Sequence, residues 1–230
     1  MSMFYDPTYL ILIPAIIFSL YAQFKVQTTF SKYSERRAAN GMTGAQVARG
    51  LLDRNQLRDI PVELIPGTLS DHYDPRARVL RLSSGVYNGT SLAALGVAAH
   101  ETGHAVQHAH AYFPLSLRNG IFPVANLGSK LGFILFFLGF LFGGNSFMID
   151  LGIMLFSFFV FFTLVTLPVE FNASNRGMEM LTAGGYLNRG EEAASARRVL
   201  NAAAMTYLAS AAMAILQLVR MLLLRGSRDD

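Results

Sequence analysis

Long apolar blocks at residues 9–24, 121–142, 147–169 and 202–224 constrain this chain more than any other feature. A helix needs about 20 such residues to cross a bilayer, and only helices or closed barrels satisfy every backbone polar group there. Hydrophobic residues make up 52% of the 230 and gather in these blocks rather than spreading along the chain. The expectation is therefore an α-helical membrane protein with about four transmembrane helices. The first block is short for a span, adequate if Asp6-Pro7-Thr8 and Lys25 mark its two interfaces, with an interfacial helix as the alternative. No positively charged region precedes it and no small-x-small cleavage site follows it, so it is expected to stay as an anchor. Lys25, Lys32, Arg36 and Arg37 come next, which by the positive-inside rule makes that side cytoplasmic and puts the N-terminus outside.

The second block is interrupted by Asn126 and Lys130, and the run Gly143-Gly144-Asn145-Ser146 after it makes a tight turn. The third block carries Asp150 near its outer end, so the two blocks read as a helical hairpin. The fourth contains Gln217 and Arg220 and follows Arg197 and Arg198. Four crossings would return the C-terminus to the outside. Arg225 and Arg228 run against that count and leave a three-span or partly interfacial arrangement open. The net charge of +4 comes without a basic stripe interleaved with aromatics. The expected partner is thus the lipid bilayer and not a nucleic acid.

Residues 25–120 differ in character: polar residues, glycines and short periodic elements replace the apolar blocks. Thr43-Gly44-Ala45-Gln46 reads as a capping box opening a helix with Val47, Ala48, Leu51 and Leu52 on one face. Residues 60–65 and 76–82 carry strand patterns, separated by the turn-rich stretch 66–75. A further helix is expected to start at Asn88-Gly89-Thr90-Ser91. The expected organisation is an anchor (1–24), a small α+β domain (25–120), a transmembrane hairpin (121–169), a linking segment (170–201) and a C-terminal membrane helix and tail (202–230).

That further helix carries the chemistry, for residues 98–108 read A-A-H-E-T-G-H-A-V-Q-H. Four positions on a helix amount to about 400° of turn and roughly 6 Å of rise, so His100 and His104 lie almost one above the other. Both imidazoles can reach one cation, and zinc suits such a pair if a third protein ligand and an open position for water are present. Glu101 sits beside the pair, placed to take a proton from that water. Residues 92–99 before the motif are apolar nearly all round, as in a buried helix. Two imidazoles and a carboxylate one turn further along are costly to bury unless something such as a metal pairs with them. The chain has no cysteine, so thiolate ligands and disulfides are excluded.

For the third ligand, His110 has the spacing of a metzincin histidine, but position 107 is Gln where that arrangement needs a glycine to turn the helix away. His108 lies on the right face but about 12 Å along the axis from His100. It suits a supporting contact or a polar helix end. Glu170 is the better candidate: it falls where the third block ends, and because a hairpin has an even number of crossings it emerges on the same side as the histidines. A plain interfacial cap is the other reading of Glu170, and Asp150 is the competing acid. Two histidines and a downstream glutamate make a gluzincin-type set for one Zn²⁺.

Residues 70–76 (S-D-H-Y-D-P-R), the 98–108 helix, residues 167–174 (L-P-V-E-F-N-A-S) and residues 199–204 (V-L-N-A-A-A) together resemble YugP-type bacterial membrane zinc metallopeptidases. The resemblance covers nearly the whole chain. It implies kinship with the HtpX-type membrane peptidases and the CAAX prenyl proteases. Through that kinship it implies zinc ligation by His100, His104 and Glu170, with Glu101 as general base. Those relatives have an aspartate four residues after the ligating glutamate, where this chain has Ser174, so the hydrogen bond that aspartate supplies must come from elsewhere or be absent.

The sequence thus predicts an integral membrane zinc endopeptidase with a small zincin-like catalytic domain on the cytoplasmic face of the bacterial cell membrane, acting on membrane-associated protein or peptide substrates. A strand edge beside the metal helix would pair with an extended peptide. His72, Tyr73 and Arg176 are candidates for stabilising the oxyanion, with Asp71 or Asp74 as a partner for His72. An intramembrane protease and a non-catalytic zinc-binding scaffold are the rival readings.

Overall fold

A computed structural model describes residues 7–227 of the chain. Asp6 and Arg228, used above to place an interface and to question the span count, lie outside the described residues. A 3₁₀ turn at Pro7–Leu12 leads into α1 (Ile13–Ser34), followed by α2 (Gly44–Arg54), β1 (Val62–Ile65), β2 (His72–Asp74), β3 (Val79–Ser83), α3 (Ser84–Tyr87) and α4 (Leu92–Ala109). Then come α5 (Phe113–Leu127), one π-helical turn (Gly128–Gly132), α6 (Phe133–Leu141), α7 (Ser146–Ala183) and α8 (Glu191–Gly226). Among the described residues, four helical segments are long and apolar enough to cross a membrane: Pro7–Ser34, Phe113–Leu141, Ser146–Ala183 and Glu191–Gly226. The second begins eight residues before its apolar block, and its π turn falls at Lys130, one of the two residues that interrupt the block.

The chain divides into two compact units. One comprises Met1–Gln23, Ser116–Leu167 and Thr206–Asp230, and its core joins Phe136, Ile149, Phe156, Val160, Ala214 and Met221. Many of its apolar side chains are exposed, Leu141 and Phe147 among them, as suits contact with lipid. Its buried Arg220 donates from Nε to Thr8 Oγ1 at 3.0 Å and stacks over the Tyr9 ring, 3.7 Å from the centroid. Arg225 pairs with Asp150 at 2.9 Å.

The other unit comprises Phe24–Leu115 and Pro168–Met205. Thr43 caps α2 through the reciprocal bonds with Gln46 that its capping box predicts, and Val47, Ala48, Leu51 and Leu52 are buried. The sheet order is β1-β3-β2, with β1 parallel and β2 antiparallel to β3. The strand β2 falls inside the stretch that reads as turns. Its physical basis is a hairpin: Asp74 Oδ1 accepts from the Arg76 and Ala77 N–H groups, turning the chain so that Tyr73 lies opposite Leu80 with its ring buried. The turn takes residues 76–78 that the expected second strand had included, so β3 starts at Val79.

The helix α4 runs through the middle of this unit. Ser91 caps it, its Oγ accepting from Ala94 N at 3.1 Å. Small side chains let neighbours close in on every side: Leu95 and Ala99 join a core with Leu51, Met178, Leu181, Ala196 and Leu200, while Ala98 and Ala105 join another with Leu52, Ile60, Leu80 and Leu82.

Candidate metal centre

His100 and His104 project from one face of α4, their ring centroids 4.7 Å apart and nearly perpendicular. Glu170, 4% exposed, comes from α7 and brings Oε2 to 3.3 Å from His100 Nε2 and 3.5 Å from His104 Nε2. One ligand atom from each of the three residues lies within 4.8 Å of the others, and they form the group among the described residues that can hold a metal ion.

Glycines let the two helices meet this closely. A β-carbon at Gly103 would lie 2.5 Å from the Ala173 carbonyl oxygen, and one at Gly177 would lie 2.8 Å from that of Ala99. Each helix thus presents small residues one turn apart, Ala99 and Gly103 against Ala173 and Gly177.

The outer nitrogens of both imidazoles are engaged. His100 Nδ1 bonds Ser174 Oγ at 3.0 Å. Ser174 lies one turn beyond Glu170, so the serine at that position makes the supporting bond itself. His104 Nδ1 bonds Gln107 Oε1 at 3.0 Å, while Gln107 Nε2 donates to Val169 O at 2.8 Å and Asn172 Oδ1 at 3.0 Å. Because the amide nitrogen of Gln107 is occupied as a donor, its oxygen must accept, and His104 carries its proton on Nδ1. The lone pair on Nε2 then faces a carboxylate oxygen, a pairing that only a positive charge between them stabilises. Two neutral imidazole nitrogens and one carboxylate are a donor set suited to zinc, with room for a further ligand.

Glu101 lies on the adjacent face of α4, 8% exposed, and its Oε2 accepts from Tyr73 N at 3.1 Å. The unpaired side of β2 therefore reaches α4 at this residue. Burial pushes the Glu101 carboxyl up to about 7; the charges of Glu170 and Asp71 add to that, and His100 and the Tyr73 N–H oppose it. A carboxyl in that range exchanges a proton readily near neutral pH.

The remaining candidates make contacts of their own. His72 is exposed, its Nδ1 within 2.8 Å of Ser70 O. Neither neighbouring acid pairs with it among the described residues. Asp71 accepts from Ser83 N at 2.7 Å and from its hydroxyl, and Asp74 pairs with Arg81 at 2.9 Å. Arg176 donates from Nε to Asn172 Oδ1 at 2.8 Å, the oxygen that also receives Gln107, and lies over the Tyr112 ring. His108 Nδ1 lies 2.9 Å from Tyr73 Oη. His110 caps the C-terminus of α4, and Asp150 is held by Arg225. The sequence reading missed Gln107, Asn172, Gly103 and Gly177. A glycine inside a helix costs about 1 kcal/mol against alanine and so flags a close approach, whereas nothing local marks Gln107 or Asn172.

A helical membrane protein with a two-histidine, one-glutamate centre in a small α+β unit is the class these features define. Residues 8–226 match the family described as "Putative neutral zinc metallopeptidase", and the chain belongs to that family. It is 50% identical over 220 residues to the "Putative membrane protease YugP" of Bacillus subtilis (strain 168), covering 95% of this chain and 96% of the relative. No solved structure matches it.

Proposed function

We propose that this chain is a membrane zinc endopeptidase of the gluzincin type, with His100, His104 and Glu170 holding one Zn²⁺ and Glu101 as general base. The observation that carries the reading is the convergence of two imidazole Nε2 atoms on a buried carboxylate, with a second buried carboxyl on the next residue of the same helix. Zinc held there would supply Lewis acidity toward a water and a peptide carbonyl. Glu101 is placed to take a proton on its carboxylate from an attacking water and would return it to the leaving amine, a role its elevated pKa suits. Gln107 holds His104 in the tautomer that ligation needs, and Ser174 orients the His100 ring. Arg176 and His72 are the proposed donors to the developing oxyanion, and an extended peptide would lie along the β2 edge beside α4.

The substrates we propose are membrane-associated proteins or peptides, cut at the cytoplasmic side of the bacterial cell membrane. The basic residues Lys25, Lys32, Arg36 and Arg37 directly after the first apolar block support that side. Because the chain has no cysteine, Ala45→Cys gives a clean label. It should react with a membrane-impermeant thiol reagent from the cytoplasmic face alone; reaction from the outer face alone would reverse the topology.

Zinc content and casein cleavage of the purified protein test the chemistry. Glu101→Gln should keep its zinc and lose cleavage, while Glu170→Ala should lose both. Tight zinc binding by Glu170→Ala would remove that residue from the ligand set, and a zinc-loaded wild type that cuts nothing would favour a scaffold.

A further inference from the structure

A second site lies in the same unit, away from the residues of the metal centre. The helices α1 and α8 enclose a cleft of about 490 Å³. On α1 it is lined by the stripe Lys25, Thr28, Thr29 and Lys32 with Tyr33 beside it, and on α8 by Arg198, Asn201, Ala202 and Met205. Each set follows the i, i+3, i+4, i+7 spacing of one helix face, so two complete stripes face each other. All of these residues belong to one unit.

Three of the lining residues are cations and none is an acid. Among the described residues no carboxylate lies within ion-pair distance of Lys25, Lys32 or Arg198; Glu191, whose charge reaches Arg198, is paired with Arg36 at 2.9 Å. Arg198 instead donates from Nη1 to the hydroxyl of Tyr33, a residue only 3% exposed, which fixes the guanidinium at the cleft and leaves its other N–H groups for a ligand. Thr28 donates its own hydrogen back to the Phe24 carbonyl at 2.8 Å. Positive charge is therefore what the cleft offers, spread over about 10 Å between Lys25 and Lys32.

The α8 wall of the cleft ends on apolar side chains, Ala202 and Met205. In sequence, Lys25 directly follows the apolar block 9–24, and Met205 lies within the apolar block 202–224. A bare phosphate ion would use the cations alone. A glycerophospholipid would use both features, with its phosphate among the cations and its acyl chains following the apolar end. The volume also falls in the range of small-molecule pockets, about 300–1,000 Å³, larger than a single ion needs.

We infer that the α1–α8 cleft binds the phosphate headgroup of an anionic glycerophospholipid, an assignment that stands independently of the catalytic reading. Basic clefts between helices at a membrane surface recognise such headgroups by charge.

The test uses the full chain, purified in detergent, stripped of lipid and titrated in native mass spectrometry with phosphatidylglycerol or phosphatidylcholine. Phosphatidylglycerol should bind first and at least about tenfold more tightly. Each cation removed should weaken it about fivefold, so K25Q/K32Q/R198Q should lose roughly 100-fold. Arg189→Gln, which removes an exposed cation outside the cleft, should stay within about twofold of the wild type. Equal affinity for the two lipids, or wild-type binding by the triple variant, would overturn the assignment. So would displacement of the lipid by millimolar inorganic phosphate, which would make the cleft a free-phosphate site. The wild-type competitions decide the matter even if the triple variant does not fold, and none of the readouts depends on cleavage.

Discussion

Gly103→Ala should disable the metal centre without touching any of its polar groups. The added carbon would lie 2.5 Å from the Ala173 carbonyl oxygen, where an ordinary contact begins at 3.4 Å, so α7 must retreat by about 0.9 Å. The obstacle is backbone, which has no rotamer to swing away. Glu170 sits three residues before Ala173 on the same helix, and metal–ligand distances tolerate only about 0.2 Å. A retreat of that size should lower zinc affinity by about 100-fold or more, with roughly 1–3 kcal/mol of overpacking set against about 1 kcal/mol gained by replacing a helical glycine. Gly96→Ala is the matched control on the same helix, since its new carbon meets Ala196 at 3.6 Å. It should be neutral or stabilising by about 0.5–1 kcal/mol, with zinc unaffected. Both variants can be read by competition with a chromophoric zinc chelator in detergent, with thermal unfolding alongside. A folded Gly103→Ala protein that holds zinc as tightly as wild type would refute the claim that close approach of α4 and α7 sets the ligand geometry.

Two variants probe the outer nitrogens of the imidazoles. Gln107→Leu removes the His104 acceptor together with the donor to Val169 and Asn172, and Ser174→Ala removes the partner of His100; each should weaken zinc about 10–100-fold, measured by the same competition. Wild-type affinity in Ser174→Ala would make the serine a bystander. Asp74 offers a pH test: the Ala77 N–H, followed by Arg81 and the Arg76 N–H, holds its carboxyl below the usual range. A lowered folded-state pKa means that its contribution is present above the unfolded value, about 3.9, and is lost as pH falls through the folded one. Asp74→Asn should therefore be less stable than wild type at pH 7, with the gap closing as the pH drops below about 4, as followed by thermal unfolding; a gap that stays constant down to pH 2 would contradict this.

Much of this protein is legible along the chain because its strongest signals are local. Apolar blocks of membrane length identify themselves by hydropathy, the helix α2 announces its start through Thr43 and Gln46, and the spacing of His100 and His104 places both rings on one face without reference to any neighbour. Glu170 could be named because a hairpin has an even number of crossings, which is a counting argument. Tertiary structure decided the rest, and for one physical reason: the deciding contacts join segments far apart in sequence and depend on how each helix is rotated and how near it comes. Ser174 reads as a missing aspartate until α7 is set against α4, when its hydroxyl meets His100. Gln107 reads only as the residue that denies His110 a turn, yet in the fold it orients His104 and ties α4 to α7. The strand β2 is too short and turn-flanked to show a period, and it exists because β3 offers it a partner, which in turn brings the Tyr73 N–H to Glu101. Local pattern thus determined which helix carries the two candidate ligands, while the close packing that Gly103 and Gly177 permit determined what surrounds them.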